Sequence, residues 1–70
     1  MTVAHIREPP GRDYVEVMFY ESARFYQLPR ESPSFETTLQ LLKEAAAVGE
    51  SLTITLASVD SDVIEGVARQ

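Results

Sequence analysis

The sequence predicts a small, mainly β member of the α+β class, in which an antiparallel sheet or a partly open barrel carries one helix. Apolar and polar side chains alternate in short runs before residue 29 and after residue 51, which is typical of half-buried strands. Between these runs, apolar residues recur at helical spacing in one segment. The 70 residues suffice for a single domain spanning 1–70.

Two strands are predicted before residue 21. Residues 2–7 are compatible with a short first strand, within an otherwise weakly ordered segment 1–12, and Glu8-Pro9-Pro10-Gly11 ends it. Residues 14–20 alternate over a full strand. One face of this strand carries the residues assigned to the core, Val15, Val17 and Phe19.

A tight turn at Glu21 and Ser22 predicts a hairpin, with a return strand over residues 23–28 that Pro29 ends. The three phenylalanines of the chain, Phe25 among them, are assigned to the core. The three tyrosines are assigned to the opposite face. The predicted outward patch therefore consists of Tyr14, Met18, Tyr20, Arg24, Tyr26 and Leu28.

The helix is predicted to begin with Ser32 as its cap and Pro33 at its first position, and to end at Gly49 in the left-handed conformation. Its apolar stripe is Phe35, Leu39, Leu42 and Ala46, widened by Leu41, Ala45 and Val48.

Residues 51–57 alternate again and predict a fourth strand, followed by turn residues at Asp60-Ser61-Asp62. Residues 63–68 predict a last strand. A short helix is the alternative, because Asp62 and Glu65 form a capping pair in the sequence.

The predicted order is (β)-β-β-α-β-β, which is the order of the OB-fold, a small, partly open barrel. The segments GRDYVEVMFYESARFYQLP, FETTLQLLKEAAAVGE, LTITL and DVIEGVARQ together resemble the B subunits of cholera-type enterotoxins. The resemblance covers roughly residues 11–70 and implies an OB-fold and a ring-like assembly of subunits; the members of that family bind cell-surface sugars. This chain lacks the cysteines of that family's disulfide and the tryptophan of its sugar pocket, so no binding residue is carried over.

A chain of this length buries only about 60% of its unfolded surface, and small domains usually need an additional source of stability. The chain has no cysteine and one histidine, which excludes disulfides and thiolate or multi-histidine metal sites. Association into a homo-oligomer is therefore expected to supply the missing buried surface.

The outward patch carries the functional hypotheses, since tyrosine, methionine and leucine together on a surface usually mark a contact. Self-association is the first interpretation. A platform for a protein or glycan ligand is the second, with Arg24 able to bond a carboxylate or stack on a ring. A strand register that buries the tyrosines is the third, because a one-residue slip exchanges the two faces.

No enzyme activity, cofactor or metal is expected from the remaining residues. His5 lies in the weakest strand, Asp60 and Asp62 offer too few ligands for calcium, and Glu16 and Glu21 are an ordinary pair in an acidic chain. The serines belong to turns and caps: Ser22, Ser32, Ser34 and Ser58. The function expected is that of a non-catalytic, oligomeric binding or interaction module.

The net charge of −5 argues against nucleic acid as a partner, and no apolar run is long enough for a membrane span. A single-strand nucleic-acid binder stays open as an alternative, because OB-type sheets with outward aromatic rings suit stacked bases. An accessory or regulatory subunit of a larger complex is a further alternative. The expected location is the cytoplasm if the chain is complete, and outside the cell if it is a processed mature form.

Overall fold

The computed structural model describes residues 1–70 and contains five strands and one helix in two antiparallel sheets. The first sheet holds β1 (Val3–Arg7), β2 (Tyr14–Phe19) and β3 (Phe25–Pro29), with β2 in the middle. The second sheet pairs β4 (Leu52–Leu56) with β5 (Ile64–Arg69). The helix α1 (Phe35–Val48) comes between the two sheets in sequence. The α+β class and the order β-β-β-α-β-β are confirmed. The last segment is a strand, as preferred over the helix.

The two sheets meet at two isolated bridges. Thr2 pairs antiparallel with Ser51, and Gln27 pairs parallel with Val63. The Gln27 N–H donates to the carbonyl oxygen of Asp62 at 2.8 Å, which holds the β4–β5 loop against β3. Because each seam has a single bridge, the sheets do not close into a barrel.

The core lies between the sheets and the helix. Val15, Val17 and Phe19 of β2 are buried in it, as predicted from their alternation. The helix adds Leu42 and Ala45, and the other core residues are Val3, Tyr26, Leu28, Leu52 and Ile64. The two sheets and the helix therefore share one apolar cluster.

The predicted division into inward phenylalanines and outward tyrosines is wrong in β3. Val17 pairs with Tyr26, and Met18 pairs with Phe25. Paired residues of an antiparallel ladder share a face, so Tyr26 must follow Val17 into the core and Phe25 must follow Met18 outward. Tyr26 is accordingly 5% exposed and Phe25 is 49% exposed.

Helix α1 begins two residues later than Pro33. Ser34 occupies the N-cap position without a side-chain hydrogen bond, so the prediction of Ser32 as the cap is wrong. Ser32 instead accepts a hydrogen bond from the Phe35 N–H through its carbonyl oxygen, at 3.0 Å, in the turn before the helix. Gly49 ends the helix in the left-handed conformation, with φ at 71°, as predicted.

The buried stripe of α1 also differs from the prediction at one end. Its buried residues are Thr38, Leu42 and Ala45, at helical spacing, with Phe35, Leu39 and Leu41 packed beside the core. Ala46 and Val48 are exposed, so the predicted stripe is wrong at these two positions. No helix in this structure has the length and hydropathy that crossing a membrane requires.

Candidate contact surface

The face of the first sheet that points away from the core carries a row of three side chains. Met18 pairs with Phe25 on one side and with His5 on the other. His5 and Phe25 are exposed, and Met18 is half-buried between them. We call these three residues the outer row. Tyr20 follows Met18 by two residues, just past the end of β2, and is 75% exposed.

The structure separates the six residues of the predicted outward patch. Tyr20 and Arg24 are exposed, and Tyr14 and Met18 are half-buried on the outer face. Tyr26 and Leu28 lie in the core, so their predicted outward placement is wrong. Phe25, which is predicted in the core, lies beside Met18 instead.

Arg24 is fixed beside the outer row by two contacts. Its guanidinium donates a hydrogen bond to the carboxylate of Asp62, and it lies 5.7 Å from the centre of the Tyr26 ring. The Tyr26 hydroxyl in turn lies 3.2 Å from the Ser22 hydroxyl. The hairpin loop is thus tied to the β4–β5 loop, and both contacts of Arg24 lie within the chain.

The charged groups of this face are mostly paired. Arg7 lies 3.8 Å from Glu16 in the row next to the outer row. Elsewhere, Lys43 pairs with Glu8, and Arg69 pairs with Glu44 and Glu50. Hydrogen bonding to Glu50 raises the pKa of Arg69. Four of the six basic residues therefore already have a carboxylate partner.

Glu21 fastens the start of the chain to the hairpin loop. Its carboxylate accepts a hydrogen bond from the Thr2 N–H at 2.8 Å, while the Tyr20 N–H donates to the Thr2 carbonyl oxygen at 3.0 Å. The hydrogen bond from Thr2 lowers the pKa of Glu21, because a backbone donor favours the ionised carboxylate.

The other candidate residues do not converge. Glu16 lies on β2 and Glu21 in the hairpin loop, each with its own partner, and Asp62 is engaged by Arg24. No group of three or more His, Cys, Asp or Glu side chains is placed to hold a metal ion. Ser22 accepts a hydrogen bond from the Arg24 N–H within the loop, which is a turn role as predicted.

Two shallow, open depressions mark the surface. One lies on the polar side of α1, between Glu36 and Glu44. The other follows β4 and is lined by Ile54, Thr55, Leu56, Ser58 and Val59. Val59 is 92% exposed, which makes it the most exposed large apolar residue of the chain. It is not among the residues predicted for the outward patch.

Comparisons with protein-family models, with curated proteins and with solved structures give no match to this chain.

Proposed function

We propose that the protein is a non-catalytic interaction module that binds a partner protein through the outer row and Tyr20. The observation that carries the proposal is Phe25, which lies half-exposed beside Met18 on a sheet face that the helix does not cover. Aromatic residues and methionine are enriched in protein–protein contacts relative to the rest of the surface. An exposed phenylalanine in a strand has no comparable structural reason in the isolated chain.

The surroundings of the outer row favour a protein partner. The neighbouring arginines, Arg7 and Arg24, are already paired with Glu16 and Asp62, so the apolar surface lies within a neutralised, polar margin. Such an apolar centre with a polar rim is the usual anatomy of a protein interface.

Site-specific photo-crosslinking tests the proposal. A photoreactive amino acid replaces Phe25 in one variant and Val48 in a control variant, since Val48 is exposed on the helix, outside the outer row. After irradiation in cells, we expect protein adducts at position 25 that are absent at position 48 and that a second substitution, Met18→Lys, removes. Adducts at both positions alike, or adducts of nucleic acid or glycan at position 25, would contradict a protein partner.

A further inference from the structure

The strand β4 has an open edge on the side away from β5. The Leu52 N–H donates to the carbonyl oxygen of Met1 at 2.7 Å, and the Met1 amino group donates back to the Leu52 carbonyl oxygen, so the backbone groups of Leu52 point away from β5. The Ala57 N–H donates to Val63 on the β5 side. Because alternate residues of a strand direct their backbone groups the same way, those of Ile54 and Leu56 point to the open side. No strand pairs with β4 there beyond Met1.

An apolar depression accompanies this edge. Ile54 and Leu56 point to the core side of β4 but are only half-buried, and Val59 beyond them is almost fully exposed. The same residues line the open depression along the strand. The edge therefore offers unpaired backbone groups and uncovered apolar side chains at the same place.

The usual protection of an edge strand is missing here. Exposed edges are normally blocked by lysine, proline or a bulge that turns them away. Residues 51–59 contain no charged residue and no proline, and the bulge of the second sheet inserts Glu65 into β5 and leaves β4 regular. Two copies of a chain with a net charge of −5 repel each other over most of their surfaces. An uncharged strand can pair with its own copy without placing like charges opposite each other.

We infer that β4 pairs antiparallel with β4 of a second copy of this chain around a two-fold axis at Thr55. In this register, the backbone groups of Ile54 bond those of Leu56 in the second copy, and the reverse, while Leu52 keeps Met1. Thr55 opposes Thr55 on the solvent face, which is a favourable cross-strand pair. The open apolar side chains of the two copies cover one another on the other face.

The pairing closes at two copies. It produces a four-stranded sheet in the order β5-β4-β4-β5, and the far edge of each β5 is engaged by β3 of its own chain near Val63. A two-fold contact of this kind is self-complementary, so the β4 edge of each copy is used once and the assembly stops at two chains. The outer row lies on the other sheet and is not part of this contact, so the inference goes beyond the proposed function and is independent of it.

Sedimentation equilibrium with charge variants on β4 tests the dimer. Thr55→Lys sets two lysines directly opposite each other, and the repulsion between them should weaken the dimer by about tenfold or more. Because Thr55 is exposed, each chain should still fold. Thr53→Lys is the matched control. This substitution adds the same charge on the same exposed face. In the proposed register the two lysines at position 53 do not face each other, so the dimer should be nearly unchanged.

Mixing the Thr55→Lys variant with a Thr55→Glu variant should restore a dimer of one chain of each, because opposite charges then face each other. In the unmodified protein, raising the salt concentration should strengthen the dimer, since it screens the repulsion between two acidic chains. A monomeric native protein at all concentrations would overturn the inference. A dimer that Thr55→Lys leaves intact, or that Thr53→Lys weakens as much, would overturn it as well.

Discussion

Tyr26 is buried in the core and has a partner on three sides. Its ring meets the Phe19 ring edge-on at 5.4 Å, its hydroxyl contacts Ser22, and Arg24 lies over its face. We expect Tyr26→Ala to lower the free energy of unfolding by about 3–5 kcal/mol, as for other large aromatic residues in a core. Phe25→Ala, the matched control next to it, should change that energy by only about 0.5 kcal/mol or less.

Urea denaturation of the two variants, followed by circular dichroism, measures this difference. Equal losses of stability in Tyr26→Ala and Phe25→Ala would contradict the register of β3. The same pair of variants separates stability from binding, because Phe25→Ala should remove the proposed partner contact from a protein that still folds.

Glu21 gives the start of β1 a dependence on pH. Its pKa is lower in the folded chain than in the unfolded chain, so the Thr2 hydrogen bond contributes stability above the unfolded pKa and is lost as the pH falls through the folded pKa. In an NMR titration, the amide shift of Thr2 should change with a midpoint below the usual range of a glutamate. Glu21→Gln should abolish this change, and Glu31→Gln, in another loop, should not. A Thr2 amide that is insensitive to acid in the native protein would contradict the bond.

The helix stabilises the fold through a single narrow stripe. Leu42 is fully buried against the sheets, and Leu42→Ala should cost about 2–5 kcal/mol, which is a large part of the stability of a small domain. Val48→Ala serves as the control, because Val48 is exposed at the end of the same helix. Thermal melts of both variants test the stripe, and an unchanged melting temperature for Leu42→Ala would mean that another face of the helix is buried.

The elements show how far the sequence prediction reached. The alternation of β2 and β4 and the glycine stop of α1 were sufficient because each depends on local chemistry. The faces of β3 depend on its pairing with β2, and the prediction assigned them by residue type. The predicted turn at Glu21 and Ser22 would itself have paired Val17 with Tyr26, as observed, although the loop is longer in the structure. The register of the β2–β3 hairpin, which follows from the predicted turn, was therefore the signal that could have predicted a buried Tyr26 and an exposed Phe25.

At the scale of the whole molecule, what could not be predicted was the spatial arrangement of the two sheets. The single bridges at Thr2 and Gln27 join residues far apart in sequence, and no local pattern specifies them. The open edge of β4 belongs to this arrangement, because β4 pairs with β5 on one side and meets only the bridge at Ser51 and the bonds of Leu52 on the other. An alternating, uncharged strand in the sequence is equally compatible with a central or an edge position. The ring of subunits implied by the enterotoxin resemblance stays a prediction.

The charge distribution of the whole molecule predicts that it does not bind single-stranded DNA or RNA at about 150 mM salt. The net charge is −5, and phosphates would have to displace Glu16 from Arg7 on the outer face and Asp62 from Arg24 at the end of the hairpin. Binding of nucleic acid depends on unpaired lysine and arginine side chains, which neutralise phosphates and release the counterions condensed on them. Here Arg7 and Arg24 already have carboxylate partners.

Fluorescence anisotropy with labelled oligonucleotides tests this expectation. The double variant Glu16→Gln, Asp62→Asn frees both arginines without changing the size of either side chain, and it should gain weak binding that falls steeply as salt rises. Micromolar affinity of the native chain at the same salt concentration would contradict the prediction. In that case the exposed ring of Phe25 would serve as a platform on which bases stack, and the outer row would be a nucleic-acid surface.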